Sequence, residues 1–424
     1  GGDPVKIIHV RAGADYKMDG TSWTDALTDL ADALDALTDE RYEIWWAGDR
    51  MIDAASRELN FTFTTPLVLR GGFTGAEDAP EERTLGARST IDGQMADVSG
   101  LLAYSTKPIT IDSVAFLRCG SKGVYCETRA TGADVLLTNC AVRCCGSESL
   151  WGGSYQAPIS VGGGGATFYC KSGVSSVRLV DCDLSGQVSA GKIDVGSGGG
   201  AYFKGFQCAY LERCTVMTNS CNSWRSAQAI GLQFTDQPVI ARNCRFAGNR
   251  ASVSGMAVQL YGKCSGSEFR NCQFSGNVDS GANGVLCANL SSSEDTLLVE
   301  NCTFAYNLVP NCSALRVNTG TATVKNSIFF GNVKLGTSAN GADIACGAGG
   351  SVSAGWSFFG GKGVNYTTGA VTVGPNCVTT GDPLFVTTIE AFKALTGVSD
   401  IPVGSGAFSD FGPSAAFDVH LLSS

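Results

Sequence analysis

The sequence predicts an all-β chain wound into a parallel β-helix, and three observations carry that prediction. A short phrase recurs at near-constant spacing, with Cys182, Cys214, Cys244, Cys272 and Cys302 following one another at intervals of 32, 30, 28 and 30 residues; a fixed period of this length marks a repeat architecture. Within each phrase, apolar and polar residues alternate with a period near two, as in Leu297, Val299, Cys302 and Phe304, which a half-buried strand requires. Between phrases there is no helical period. Instead Gly, Asn and Ser turns bound a second short strand at 165–169, 200–204, 231–235, 284–288 and 314–318. A propeller blade would need roughly 40 residues and four strands, and the Leu-x-x-Leu-x-Leu phrase of leucine-rich repeats is absent.

The chain opens differently. Residues 21–38 carry apolar side chains at 23, 26, 27, 30, 33, 34 and 37, the pattern of a helix with one apolar face. Thr21 or Ser22 can cap it, and Asp25 and Asp29 suit the positive end of its dipole. A stacked coil leaves its first core layer open, so this amphipathic helix is expected to cap it. Strands follow at 42–46, 59–64 and 66–71. The expected organisation is an N-terminal cap over 1–65, β-helix coils over 66–345, and closing coils with a tail over 346–424.

In a parallel coil, like residues lie above like about 4.8 Å apart. Cys140, Cys182, Cys214, Cys244, Cys272 and Cys302 then form an inward column, closed by Ser327, with a Phe series beside it. Asn219, Asn249, Asn277, Asn307 and Asn332, each five residues beyond that slot, mark a turn and hydrogen-bond to their neighbours above and below. There Asn also tolerates the left-handed conformation. The column thiols read as buried and reduced. Cys119, Cys126, Cys144 and Cys145 lie off the column, and a disulfide among them stays open.

Composition narrows the functions. Two histidines, His9 and His420, stand at opposite ends of the chain, which disfavours His-based metal sites and triads. Without a paired Cys-x-x-Cys set, no metal is expected. The glycine runs at 162–165 and 196–200 lack the residues of nucleotide loops, so no cofactor is expected either. A net charge of −9 argues against nucleic acid. Residues 1–60 hold 13 acids against 6 bases, so the remainder is almost neutral. No apolar run approaches the roughly 20 residues of a membrane span.

Several phrases carry a resemblance. Val10-Arg11-Ala12-Gly13, Asp19-Gly20-Thr21-Ser22-Trp23, Ala33-Leu34, Glu43-Ile44-Trp45, Leu69-Arg70-Gly71-Gly72-Phe73 and Thr90-Ile91-Asp92-Gly93, followed by the Asn-Cys-x-Phe-x-x-Asn repeats and Asp382-Pro383-Leu384-Phe385, resemble bacterial surface proteins of the pectin-lyase-like superfamily. The repeats are similar to those of polymorphic outer-membrane proteins. The resemblance implies a right-handed coil and a secreted or cell-surface, outer-membrane-associated location. The Gly1-Gly2 start reads as a mature or trimmed terminus. The resemblance leads us to expect an anchoring segment after the tail phrase that is trimmed or absent.

Superfamily enzymes need converging carboxylates or a Lys or Arg base. Outward slots of the shorter strand are expected to stack as Thr167, Tyr202, Gln233, Gln259, Leu286, Arg316, Asp343 and as Tyr169, Lys204, Thr235, Tyr261, Ala288, Asn318, Ala345. Neither row pairs acids on neighbouring coils. Asp181 and Asp183 read as a solvated face with cross-coil charge pairs. The rows instead supply a strip of Tyr169, Tyr202, Lys204, Gln233, Gln259, Tyr261 and Arg316 suited to stack on sugar rings and bond hydroxyls. Trp151 and Tyr155, in the long insertion at 147–161, and Trp224 are further candidates. The leading reading is an exported, non-catalytic, adhesin-like β-helix with a glycan ligand. The alternative is a polysaccharide lyase or glycoside hydrolase.

Overall fold

The computed structural model describes residues 7–52, 58–94, 96–146, 165–190, 199–222, 228–251, 255–278, 284–309, 313–332, 342–360, 370–379 and 383. The chain forms two compact units, one of residues 1–188 with 200–215 and one of 189–199 with 216–424.

In the first unit, strands stack in three parallel columns. The first holds Asn60–Phe63, Leu101–Ser105, Val124–Thr128, Ala166–Cys170 and Ala201–Lys204. The second runs from Ile7–Arg11 through Glu43–Ala47, Leu67–Phe73, Ile109–Asp112, Val135–Thr138 and Ser176–Val180 to Cys208–Glu212. The third holds Asp49–Met51, Ser89–Asp92, Val114–Leu117, Ala141–Arg143 and Asp183–Ser185. Because every pair is parallel and, apart from a bulge between Trp45 and Ala47, in register, alternate side chains line up across coils. Ile44, Leu69, Ile111, Leu137, Leu179 and Leu211 make one such column, essentially without solvent contact.

The second unit repeats the scheme with Gln228–Thr235, Gly255–Gly262 and Leu286–Leu290, after which Ser313–Lys325 and Ala342–Gly355 run through two strand positions without a break. Its third column holds Arg245–Ala247, Gln273–Ser275, Thr303–Ala305, Ile328–Phe330 and Phe358–Gly360. Phe246, Phe274, Phe304, Phe329 and Phe359 stack there with centroids 4.7, 4.5, 4.7 and 5.1 Å apart, the spacing of the coils themselves.

Beside the rings runs an asparagine ladder. The Nδ2 of Asn219 donates to Oδ1 of Asn249 at 2.9 Å, Asn249 to Asn277 at 2.9 Å, Asn277 to Asn307 at 3.0 Å and Asn307 to Asn332 at 2.9 Å. The left-handed conformation expected at these residues lies elsewhere. It falls on the residue before the thiol slot, as at Asn243, Asn271 and Asn301 with φ of 54°, 53° and 53°, and on the residue before the ladder Asn, such as Gly276 with φ of 61°. The tight turns therefore flank the ladder. The ladder asparagines themselves have no positive φ.

The N-terminal helix is shorter than its pattern, covering Leu30–Asp35 with Asp29 as the cap, whose carboxylate accepts from the Ala31 N–H at 2.8 Å. Thr21 and Ser22 do not cap it; they bond to Asp19 and Asp25 in turns. The reason is backbone competition. Leu27 exchanges hydrogen bonds with His9 and Arg11 at 2.9 and 2.8 Å, so the edge of the first strand takes groups a longer helix would use. Leu30, Ala31, Ala33 and Leu34 are buried, and the helix packs on the first two strands.

The thiols of Cys119, Cys126, Cys144 and Cys145 are free, which closes the disulfide left open by the sequence. Among the described residues, no helix is long and apolar enough to cross a membrane.

Candidate functional site

Strand register in the first unit places Thr62, Tyr104, Glu127, Tyr169 and Lys204 one above another. Their neighbours on the core side, such as Phe168 and Phe203, stack at 5.0 Å, so period-two alternation turns the Tyr and Glu column away from the core. Arg129 and Lys171 follow directly after two of these strands and fold back over the column.

Glu127 is the hub. It is 4 % exposed, and its carboxylate accepts from the Tyr125 hydroxyl at 2.7 Å, from Arg129 Nε at 2.6 Å and from Lys171 Nζ at 2.9 Å. Burial alone would raise its pKa, but the bonds from Lys171, Tyr125 and Arg129 outweigh it and hold the carboxyl below its ordinary range. The cations also face rings. The Arg129 guanidinium lies 4.7 Å from the Tyr104 centroid, while Lys171 and Lys204 lie 5.9 and 5.8 Å from that of Tyr169. Burial, with Glu127 adding to it, pushes the Tyr104 and Tyr125 phenols upward. One anion is thus held by two cations, Arg129 at 40 % and Lys171 at 49 % exposure, and a third, Lys204, stands over Tyr169 two coils from Glu127.

Beside this column runs a second, Leu102, Tyr125, Thr167 and Tyr202. Tyr202 is 1 % exposed and Thr167 0 %, so Tyr202 is not available as a surface contact. Next to it lies Lys122, whose Nζ is 3.5 Å from the Thr167 hydroxyl. Burial pushes that amine down to about 8.

The second-unit candidates separate. Gln233 and Gln259 pair in register but are 7 % and 3 % exposed, whereas Tyr261 is 55 % exposed. Arg316 donates to Asn318 at 2.6 Å, and Asn318 to Asn289 at 2.6 Å. The expected rows also slip. Gln259 pairs with Cys287, not Leu286, and Tyr261 with Asn289, not Ala288; Arg316 pairs with Ala345, not Asp343. The slip is already present within Leu286–Leu290, because counting from Gly284 as from Gly165 and Gly200 falls one residue short of the register that the hydrogen bonds keep. Trp151, Tyr155 and Trp224 lie outside the described residues.

Tyr104, Glu127, Arg129 and Lys171 were missed because the rows began at Thr167 and Tyr169. Carrying the same register one coil earlier reaches Glu127. The cross-coil charge pairs are present as Arg213–Asp181 at 2.7 Å and as Arg143–Asp183.

The chain is a right-handed parallel β-helix. Residues 202–369 match the family model described as right handed beta helix region. Among solved structures, a crystal structure of pectate lyase Pel9A aligns over 96 % of this chain and 91 % of that chain, with 12 % identity and a TM-score of 0.37. No curated protein matches the sequence.

Proposed function

We propose that the chain is a glycan-binding β-helix whose Tyr104–Lys204 column takes an acidic polysaccharide without cleaving it. The observation that carries this reading is the surplus of partly exposed cations around the buried Glu127, set against phenol rings. Guanidinium and ammonium groups bond carboxylate or sulfate oxygens, and rings stack on sugar faces. The titratable groups favour binding over turnover. Glu127 is held in its anionic form, and the Tyr104 and Tyr125 phenols are held more firmly in their neutral form by an upward shift, whereas an acid–base catalyst works best with a pKa near the working pH. Lys122, at about 8, favours the alternative of a lyase, but it is enclosed at 7 % exposure. Export to the cell surface belongs to the same reading, and protease shaving of intact cells tests it.

A glycan array with neutral, uronate-bearing and sulfated polymers tests the ligand class. Acidic polymers should bind, and Lys171→Ala with Lys204→Ala should weaken them about tenfold or more, since a bond to a charged group contributes about 1.5–3 kcal/mol. Equal binding of neutral polymers, or indifference to both substitutions, refutes the proposal. Unsaturated products or new reducing ends would establish the lyase or hydrolase instead.

A further inference from the structure

The thiol columns have a chemistry that packing does not use. In the first unit Cys140, Cys182 and Cys214 occupy successive coils, with Asp183 N–H donating to Cys140 O and Thr215 N–H to Cys182 O, each at 2.9 Å. In the second unit Cys244, Cys272 and Cys302 repeat the arrangement, with Gln273 bonded to Cys244 O and Thr303 to Cys272 O, again at 2.9 Å. None of the six is in a disulfide, and all are at most 2 % exposed. Strand register sets Cys182 between Cys140 and Cys214, and Cys272 between Cys244 and Cys302, one coil apart.

We propose that each three-thiol column is a binding site for a soft, closed-shell monovalent cation of the cuprous or silver type, held linearly between sulfurs of adjacent coils. Three arguments support it. The first is distance. Sulfur–metal bonds of about 2.3 Å give a linear S–M–S span of about 4.6 Å, close to the coil spacing of about 4.8 Å. The second is coordination number. Among the described residues, no three His, Cys, Asp or Glu side chains converge on a point, so ions demanding four ligands do not fit, whereas soft ions accept sulfur alone. The third is charge. One S–H bond breaks, its proton leaves to solvent, and thiolate, cation and the neighbouring intact thiol form a neutral unit. Neutrality is what an apolar core requires, and no oxidation state changes.

The test uses the full chain carrying Cys144→Ser, which removes the exposed thiol. Protein is incubated with silver ion, or with cuprous ion under anaerobic conditions, then desalted against a competing chelator. Metal per chain is measured by mass spectrometry and sulfur neighbours by X-ray absorption. Adding Cys182→Ser, Cys244→Ser and Cys272→Ser breaks both columns at the centre, leaves no two successive thiols of the series, and should remove about two ions per chain. Serine fits this slot, because Ser327 Oγ accepts from Cys302 N–H and Ser357 Oγ from Ser327 N–H, both at 3.2 Å. Cys140→Ser with Cys302→Ser, which leaves one adjacent pair in each column, should keep both ions, and so should Cys170→Ser with Cys264→Ser. Equal uptake by the centre-broken variant, no retained metal in the parent, or three- or four-coordinate sulfur would overturn the proposal.

Discussion

Replacing Asp343 by Asn should stabilise the protein at alkaline pH and leave it unchanged or weaker in acid. Asp343 ends the asparagine ladder, where Asn332 Nδ2 donates to its Oδ1 at 3.1 Å. It is 7 % exposed. Burial pushes its pKa from the ordinary 3.8 up to about 7, against the smaller downward pull of Asn332. The sign follows directly. Below pH 4 the carboxyl is protonated in both folded and unfolded chains and costs nothing. Between pH 4 and 7 the unfolded chain ionises first, so stability falls as pH rises; above 7 the loss levels off. A rise of about 3 pKa units corresponds to about 4 kcal/mol at pH 8 and about 2 kcal/mol at pH 5.

An amide keeps the oxygen that Asn332 needs and removes the charge. It adds an NH2 group whose burial costs about 1–2 kcal/mol. The net expectation for Asp343→Asn is a gain of about 2–3 kcal/mol at pH 8 and close to zero at pH 5. Urea unfolding of parent and variant at both pH values measures the difference. A pH-independent effect would refute the reasoning, because it would mean that Asp343 is not the group titrating between folded and unfolded states.

Three further outcomes are expected. Phe274, stacked at 4.7 and 4.5 Å between Phe246 and Phe304, should cost about 3–5 kcal/mol as Phe274→Ala and less than about 1.5 kcal/mol as Phe274→Leu, read by thermal or urea unfolding. Because the Glu127 carboxyl is depressed, its contribution is present above pH 4.5 and lost as pH falls below that value. Glu127→Gln should flatten this acid limb, which pH-dependent melting detects. For Lys122, with a pKa lowered from 10.5 to about 8, the burial penalty is present below pH 8 and relieved as pH rises to 10.5. Lys122→Met should remove that rise, about 3 kcal/mol across the window, in unfolding series from pH 7 to pH 10.5.

What the sequence revealed, it revealed through stacking. Cys244, Cys272 and Cys302 recur because each must fit the same slot one coil higher, and Phe246, Phe274 and Phe304 because a ring stacks best on another ring. The outward face obeys weaker rules. Tyr202 alternates away from Phe203 as an outward residue should, yet it is enclosed, and alternation cannot separate covered from uncovered positions outside the core. Counting from the glycine before each strand lost the row through Gln259 at Leu286, one residue short, while the thiol column kept its register. The helix failed for a further reason: its apolar spacing was real, but a strand edge competed for Leu27.

The ladder also explains why its one acid stands at an end. An amide can donate and accept at once, so Asn277 gives Nδ2 to Asn307 Oδ1 at 3.0 Å and to Phe246 O at 3.0 Å, while its Oδ1 receives both the N–H and Nδ2 of Asn249 at 3.1 and 2.9 Å. Every link from Asn219 to Asn332 donates in the same direction, so only the final position can be acceptor-only. Asp343 meets that condition. Asn277→Asp does not: it takes the side-chain donor from the Phe246 carbonyl and sets a carboxylate oxygen against Asn307 Oδ1, which keeps only the Asn277 N–H at 3.0 Å, and a buried acceptor that loses its donor costs about 1–3 kcal/mol. Protonation restores one donor. Asn277→Asp should therefore lose about 1–3 kcal/mol at pH 8 and recover part of it toward pH 4. A variant as stable as the parent at pH 8 would show that the direction of the ladder carries no energetic weight.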